Sequence, residues 1–477
     1  MTGLVVSNGA ELTISSTLYE IRERTLAVKN IKLVFWGVLA VVSLLWIAAD
    51  PAVFETRDVF ALRGFMIQYS GVLAMAVMSI AMILALRPRW PEPWLGGLDK
   101  MYRLHKWLGI SALVFAVVHW LWSEAPKWAI GLGLLGRPER GQRPALTNPV
   151  QQFLSGLRSP AEGLGEWAFY LTVLLIAVAL IPLIPYRWFF KTHRILAVTY
   201  LVLAFHSVVL TSFDYWTTPL GVVLALLLGA GSFAAVVVLF RRVAAGRQVT
   251  GKIVDLLHFP GVRVLESRIE LQPGWPGHQP GQFAFATSDS QEGAHPYTIA
   301  SAWDPANPSI TFIVKALGDH TSQLAEKLHI GQQVKIEGPY GCFTFDDDAP
   351  RQIWIGGGIG VTPFVSRMKS LAHSRKHAPD EARPVIDLYH TTADLDETAL
   401  ERLAADAVDA DVRLHILIDA KHGKLTGERI RAEVPQWRKA SFWFCGPVGF
   451  GDALRADFAA HGLDINAQFH QELFSMR

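Results

Sequence analysis

Six long apolar runs dominate the first half of this chain, at about 31–49, 66–86, 104–123, 166–184, 192–212 and 218–240. Each is long enough to cross a hydrocarbon core of about 30 Å at about 1.5 Å per residue. The run at 218–240 holds no ionisable residue, which a helix in a water-soluble core rarely manages. The first run does not read as a cleavable signal peptide, because a polar segment of 30 residues precedes it and no small-residue cleavage site follows.

Charge divides the chain at about the same point. Residues 1–240 carry 19 Lys+Arg and 13 Asp+Glu, whereas residues 241–477 carry 25 and 29. An apolar, weakly basic membrane half therefore precedes a charge-rich soluble half. Overall only 18% of residues are charged, against about a quarter in a typical globular chain. No basic stripe suggests nucleic acid. Two cysteines, Cys342 and Cys445, cannot supply a disulfide framework, a four-thiolate zinc site or an iron–sulfur cluster. Redox chemistry in such a chain must use other cofactors.

Lys and Arg near the span ends set the expected orientation. Arg22, Arg24, Lys29 and Lys32 precede the first run, and Arg87, Arg89, Lys100 and Arg103 lie between the second and third. Arg187 and Lys191 separate the fourth and fifth, and Arg241, Arg242 and Arg247 follow the sixth. These segments fall on one side, expected to be the cytoplasm, with both termini and the soluble half. The basic residues of 124–165 disagree; that stretch is expected to be a folded extracytoplasmic loop.

The membrane half has four histidines, all on the third and fifth runs: His105, His119, His193 and His206. An ionisable ring at membrane depth is costly and marks a functional site by default. Both runs cross in the same direction, so His105 pairs in depth with His193 and His119 with His206, about 20 Å away at helical rise. Two such pairs can ligate two haem irons axially, as metal ligands in two layers; the alternative is four histidines hydrogen-bonded between helices. Zinc would prefer three or four ligands at one level. With no cysteine in this half the haems would be b type. The 13-residue spacing on the fifth run is about 140° off one helical face, so a kink, a bulge or a sideways offset of the two layers is expected. Arg63, Arg103 and Arg194 are candidates to meet haem propionates or to sit at the interface.

From about 249 to 345 short alternating segments broken by Gly and Pro suggest an antiparallel β-barrel. From 351 strand and helix alternate, as in an α/β doubly wound parallel sheet. GGGIGVTPF (Gly356, Gly357, Gly358, Gly360, Thr362 and Pro363 among its residues) lies where the first of these strands meets a helix, a turn suited to a pyrophosphate. HPYTIAS (His295, Pro296, Tyr297, Thr298, Ser301) puts a ring that can carry charge, an aromatic and a hydroxyl on one extended segment. KALGDHTSQL (Lys315, Gly318, Thr321) offers a second phosphate-type turn, and Cys445-Gly446-Pro447 ends a late strand at the sheet's carboxyl edge.

Together these features resemble the ferric reductase and NADPH oxidase superfamily, and within it a bacterial NADPH-oxidase-like flavocytochrome b, from about residue 30 to the C-terminus. The resemblance implies a bundle of six transmembrane helices with two b-type haems, an antiparallel β-barrel FAD domain and an α/β nucleotide-binding domain of ferredoxin-reductase type. The expected divisions are 1–30, 31–242, 243–350 and 351–477. By resemblance, His295, Pro296, Tyr297, Thr298 and Ser301 would contact FAD, with Lys315, Gly318 and Thr321 at its pyrophosphate. Gly356 to Pro363 and Gly446-Pro447 would hold NADPH or NADH, Cys445 would lie near the hydride-bearing carbon, and Phe474 would cover the flavin. Cys445, Phe474 and Thr298 are the residues expected nearest the chemistry. The family's basic residue for a 2′-phosphate has no counterpart at Tyr389-His390-Thr391-Thr392, leaving both nicotinamide cofactors open.

The expected function is transmembrane electron transfer, from cytoplasmic NAD(P)H via FAD and haem to oxygen, giving superoxide. Ferric-chelate reduction is the close alternative, and a membrane cytochrome subunit serving a partner protein a further one. The chain is expected in a bacterial inner membrane, with the lipid bilayer and a small-molecule acceptor as partners.

Overall fold

The computed structural model describes residues 27–136, 146–181, 183–184, 186–290, 292–377 and 383–472. Two compact units emerge, one from 30–89 and 101–244, the other mainly from 90–100 and 245–472.

The first unit is built from six helices: α1 (Ala27–Ala49), α2 (Val59–Ala85), α3 (Leu98–Gly131), α4 (Arg158–Leu180), α5 (Tyr186–Leu210) and α6 (Pro219–Leu239). All six are long and apolar enough to cross a membrane. Asp58 caps α2, its carboxylate accepting from Ala61 N at 2.7 Å, and Pro219 opens α6 where no backbone donor is needed. The helices outrun the apolar stretches. α3 continues through Glu124, Pro126 and Lys127, α4 starts at Arg158, and a short helix Pro149–Gly156 lies between them. Much of the expected 124–165 loop is thus helix, because hydropathy marks the hydrocarbon slab while backbone hydrogen bonding continues into the interface.

Between helices, small and hydroxylated residues do the joining, as apolar packing alone gains little in lipid. The Tyr200 hydroxyl on α5 meets Ser79 Oγ on α2 at 2.8 Å. Gly231 on α6 lies against that same phenol, and a Cβ there would collide with it. Near the end of α1, Trp46 Nε1 donates to the Tyr215 hydroxyl at 3.1 Å, and Tyr215 donates to Asp50 at 2.5 Å.

The second unit contains two sheets. Strands β1 (Gln248–Phe259), β2 (Val264–Leu271), β3 (Phe283–Thr287), β4 (His295–Thr298), β5 (Ser309–Lys315) and β6 (Gln333–Tyr340) form an antiparallel sheet in the order β4-β3-β6-β1-β2-β5. Its two edges meet through an Ile299–Phe312 bridge and the Ala300 N to Thr311 O hydrogen bond of 2.8 Å. Ile253, Ile269, Ala284, Ile310, Phe312 and Ile336 fill the interior.

Strands β7 (Arg351–Gly357), β8 (Val385–Thr392), β9 (Arg413–Ile418), β10 (Ser441–Cys445) and β11 (Phe469–Gln471) form a parallel sheet in the order β11-β10-β7-β8-β9. Helices α7 (Thr362–His377), α8 (Glu397–Ala410) and α9 (Val448–Ala460) lie in the connections. Strands β7 and β10 are buried along almost their whole length because both faces are covered. On β7, Trp354 enters one core with Phe364 and Met368, and Ile353 and Ile355 enter the other with Phe442 and Phe444. The order reverses at β7, with β8 on one side and β10 on the other, which opens a crevice at their carboxyl ends. Segment 90–100 belongs to this unit: Glu92 Oε1 accepts from Gly341 N at 2.7 Å.

Candidate functional site

In the helical unit, α3 and α5 bring the four histidines together in two pairs. Ring centres of His105 and His193 lie 5.9 Å apart, and those of His119 and His206 6.2 Å apart. Imidazole–metal bonds of about 2.0–2.1 Å, with about 1.1 Å from nitrogen to ring centre, put two rings on one metal about 6.3 Å apart. Both pairs fit one metal ion between the rings.

Three rings are also oriented for ligation. His105 Nδ1 meets Ala81 O at 3.0 Å, His119 Nδ1 meets Ile67 O at 2.9 Å, and His206 Nδ1 meets Ala161 O at 2.8 Å. A carbonyl can only accept, so each Nδ1 carries the proton and each Nε2 presents its lone pair. His193 instead stacks on Phe189, ring centres 5.0 Å apart, and its Nδ1 has no hydrogen-bond partner among the described residues. α5 runs from Tyr186 to Leu210 with no 3-10 or π turn. Of the kink, bulge or offset expected for the 13-residue spacing, the continuous helix uses no bulge.

Close approach by glycine makes room for the second pair. A Cβ on Gly71 would come within 3.2 Å of the His119 ring, and one on Gly165 would fall on the His206 ring. The guanidinium of Arg63 donates to Ser123 O at 3.1 Å, while its Nε, like that of Arg194, is buried without a partner among the described residues. Such orphaned donors suit an anionic group like a haem propionate. Arg103 is exposed. Thr199 and Tyr200 are buried, the latter tied to Ser79.

In the second unit, β4 holds His295, Pro296, Tyr297 and Thr298 half-buried beside β3. The His295 ring stacks on His320 with centres 3.7 Å apart and planes 5° apart, and His320 Nε2 meets the Tyr297 hydroxyl at 3.1 Å. Ser301 is a joint: its hydroxyl accepts from Thr311 N at 3.1 Å, and its carbonyl accepts from Ser366 Oγ at 2.9 Å and His278 Nε2 at 3.1 Å. Thr321 Oγ1 accepts from Gly318 N at 3.0 Å and so shapes the turn before the short helix Asp319–Ser322. Lys315 stands apart from this group. Its ammonium is held by Asp394 at 2.6 Å, and it lines a cavity of about 110 Å³ with Gly358, His390 and Thr392.

The Gly-rich turn and the Cys445 turn pack against each other at the carboxyl edge. Gly356 and Cys445 are register partners on β7 and β10. A Cβ on Gly357 would come within 2.8 Å of Pro447, one on Gly446 within 3.2 Å of Gly357, and one on Gly360 would strike the Cys445 carbonyl. Gly358 differs: its φ is +56° and nothing lies within 4 Å of its Cβ position. The turn is dense behind and open in front, as an approaching pyrophosphate requires. Thr362 Oγ1 donates to Ile359 O at 2.8 Å where Thr362-Pro363 opens α7. Phe474 lies outside the described residues.

Sequence reasoning missed two groups here. Glu472 is fully buried, its Oε2 has no hydrogen-bond partner among the described residues, and burial pushes its carboxyl well above the carboxylate range. Burial and that carboxyl in turn push the Cys445 thiol well above its usual value. An acid inside the closing QELF segment was the available signal. His320 was in view within KALGDHTSQL, but its stacking on His295 joins residues 25 positions apart in sequence.

Comparison with known proteins gives two family matches. The ferric reductase like transmembrane component matches residues 70–204, which contain His105, His119 and His193 and end two positions before His206, and the FAD-binding domain matches residues 261–344. The chain belongs to the ferric reductase and NADPH oxidase superfamily. Its six apolar helices and transmembrane family match make this member of the superfamily an integral membrane protein. Among curated relatives, an NADPH oxidoreductase of Mycobacterium tuberculosis is 27% identical over 217 residues, covering 43% of this chain and 55% of that protein. The respiratory burst oxidase homolog protein E of Arabidopsis thaliana is 26% identical over 225 residues, covering 39% and 22%. The chain thus spans about half, or less, of the length of these relatives. Among solved structures, the Amycolatopsis cytochrome P450 reductase GcoB aligns with a TM-score of 0.40 and 23% identity, over 48% of this chain and 70% of that one.

Proposed function

We propose that this chain is a transmembrane oxidoreductase that oxidises NAD(P)H on the cytoplasmic face and reduces oxygen to superoxide on the other. The balance is NAD(P)H + 2 O2 → NAD(P)+ + H+ + 2 O2•−. The observation that carries this reading is the pair of facing imidazoles repeated at two depths, with three of the four rings locked by backbone carbonyls. Similarity to a respiratory burst oxidase homolog favours oxygen. Ferric-chelate reduction is the second reading, favoured by the ferric reductase like family match.

His105 with His193, and His119 with His206, would hold two b-type haems. His295, Pro296, Tyr297, Thr298, Ser301, Gly318 and Thr321 are assigned to FAD, and the Gly356–Pro363 turn with Cys445-Gly446-Pro447 to the nicotinamide dinucleotide. When bound, FAD supplies the change from a two-electron hydride donor to single electrons, and haem iron supplies one-electron carriage. The Nδ1–carbonyl bonds fix the aim of three of the imidazoles, so their geometry needs little adjustment when the oxidation state of the site changes. Two imidazoles for each group would favour electron transfer to the acceptor without direct binding of it. At the carboxyl edge, burial raises both the Cys445 thiol and the Glu472 carboxyl, which favours a dry surface of low charge where hydride would leave its donor. The basic residues at the span ends orient the nucleotide face toward the cytoplasm.

Turnover by purified protein with NADH and with NADPH, in air, under argon, and under argon with a ferric chelate, tests the reading. Superoxide in air and stalled turnover under argon are expected. Turnover unchanged under argon without added acceptor rules out the oxidase; turnover only with the chelate selects the second reading.

A further inference from the structure

Near the flavin-type segment, Glu292, His295 and His320 offer three ligand atoms within 4.8 Å of one another. Their geometry does not suit a metal. Imidazole lone pairs lie in the ring plane, and planes 5° apart with centres 3.7 Å apart cannot both aim at one ion. Face-to-face stacking instead suits two rings that share at most one positive charge.

The surroundings say what that charge would serve. His320 lines a cavity of about 410 Å³ with Ser288, Asp289, Ser290, Glu292 and Lys327. Once protonated, the ring would donate from Nε2 to the Tyr297 hydroxyl oxygen, 3.1 Å away, and would keep a second donor on Nδ1, which has no hydrogen-bond partner among the described residues. A donor left over at the edge of a polar cavity calls for an anionic acceptor.

We propose that His295 and His320 act as one stacked imidazole pair that takes up a single proton when the diphosphate of a flavin dinucleotide binds, with His320 carrying the proton-linked part of the affinity. The inference rests on the reading that this module holds FAD.

Burial favours the neutral form of both rings. Burial, then the neighbouring His320, lowers His295 to about 4, and burial lowers His320. From the loop before β4, Glu292 and Asp289 pull His320 up, while Lys327, on the short helix after its own, pulls it down. A diphosphate beside the pair favours the charged form and lifts the pKa. Between the free and bound values, each pH unit downward tightens binding by up to about tenfold. The two carboxylates oppose the anion directly, and the added proton offsets that opposition.

The test uses full-length protein in detergent, stripped of flavin and titrated with FAD between about pH 5.5 and 8.5, with phosphate-free riboflavin as the control probe. FAD affinity is expected to rise toward tenfold per unit of falling pH over part of that range, and riboflavin affinity to stay flat. His320→Phe keeps the stacked ring but not the proton; its FAD affinity should lose the pH slope and be about tenfold weaker near pH 6. Calorimetry of the unmutated protein in two buffers of different ionisation enthalpy should count up to one proton taken up per FAD, with no need of a variant. FAD binding with no pH slope, an equal slope for riboflavin, a slope preserved in His320→Phe, or stoichiometric zinc uptake lost in that variant overturns the proposal and leaves the flavin assignment standing. Failure to bind FAD at any pH overturns the assignment and the proposal together.

Discussion

His119 and His206 face each other with ring centres 6.2 Å apart, one Nδ1 held by the Ile67 carbonyl and the other by the Ala161 carbonyl. The two carbonyls belong to different helices, α2 and α4. The pair is therefore set by four helices although only two carry the rings, and the same holds in part at the other level, where Ala81 on α2 holds His105.

Removing one ring of a level should empty that level alone. His119→Leu is expected to reduce haem content from two to one per chain by pyridine haemochromogen assay, with the His105–His193 spectrum retained. An unchanged spectrum and stoichiometry would mean that His119 is not a ligand.

The glycines beside the second pair give a sharper test, because they bear no ligand atom. Gly165→Ala places a methyl on the His206 ring, whereas Gly71→Ala only crowds His119 at 3.2 Å. Overpacking of this kind costs about 1–3 kcal/mol, so Gly165→Ala should lose or distort the second haem's low-spin spectrum and Gly71→Ala should alter it less. Equal effects would mean that His206 lies no closer to Gly165 than His119 does to Gly71.

Glu472 provides a pH prediction. Its folded pKa is raised by burial, so the folded chain keeps a proton that the unfolded chain releases above about pH 4.3. The associated stability is complete below that value and is lost as pH rises toward the folded pKa. Glu472→Gln carries no such proton. In thermal unfolding of the full chain, the variant should gain on the parent from pH 5 to pH 8, by up to about 1.4 kcal/mol per pH unit. A constant difference across that range would show that the carboxyl is already ionised when folded.

Lys315 and Asp394 can be separated from flavin binding. The pair is partly exposed, so breaking it should cost no more than about 1 kcal/mol of stability. Because Lys315 lines the cavity that reaches Gly358, Lys315→Ala and Asp394→Ala should both raise KM for NAD(P)H while FAD occupancy stays near the parent's. Loss of FAD in Lys315→Ala alone would return that lysine to the flavin group.

The architecture was legible in the sequence for reasons local to each segment. Twenty apolar residues in a row have few alternatives to a membrane helix, alternating and strand–helix patterns mark the two sheets, and a Gly-rich turn at a strand end has few uses. Histidine is so costly at membrane depth that four on two runs declared themselves, and a helical rise of about 1.5 Å per residue assigned their depths.

What the sequence could not contain is direction around each helix and contact between distant segments. Hydropathy placed the span ends but not the helix ends, so α3 and α4 ran on through the expected loop. The 13-residue spacing on α5 left a kink, a bulge or an offset open, and only the folded helix shows that no bulge is used. The carbonyls of Ala81, Ile67 and Ala161 leave no mark in a one-letter code, because every residue has one. Nor does the His295–His320 stack, or the burial of Glu472, follow from any local pattern. Local propensity and solvent cost are properties of a residue and its neighbours in sequence; ligand aim, stacking and burial are properties of neighbours in space.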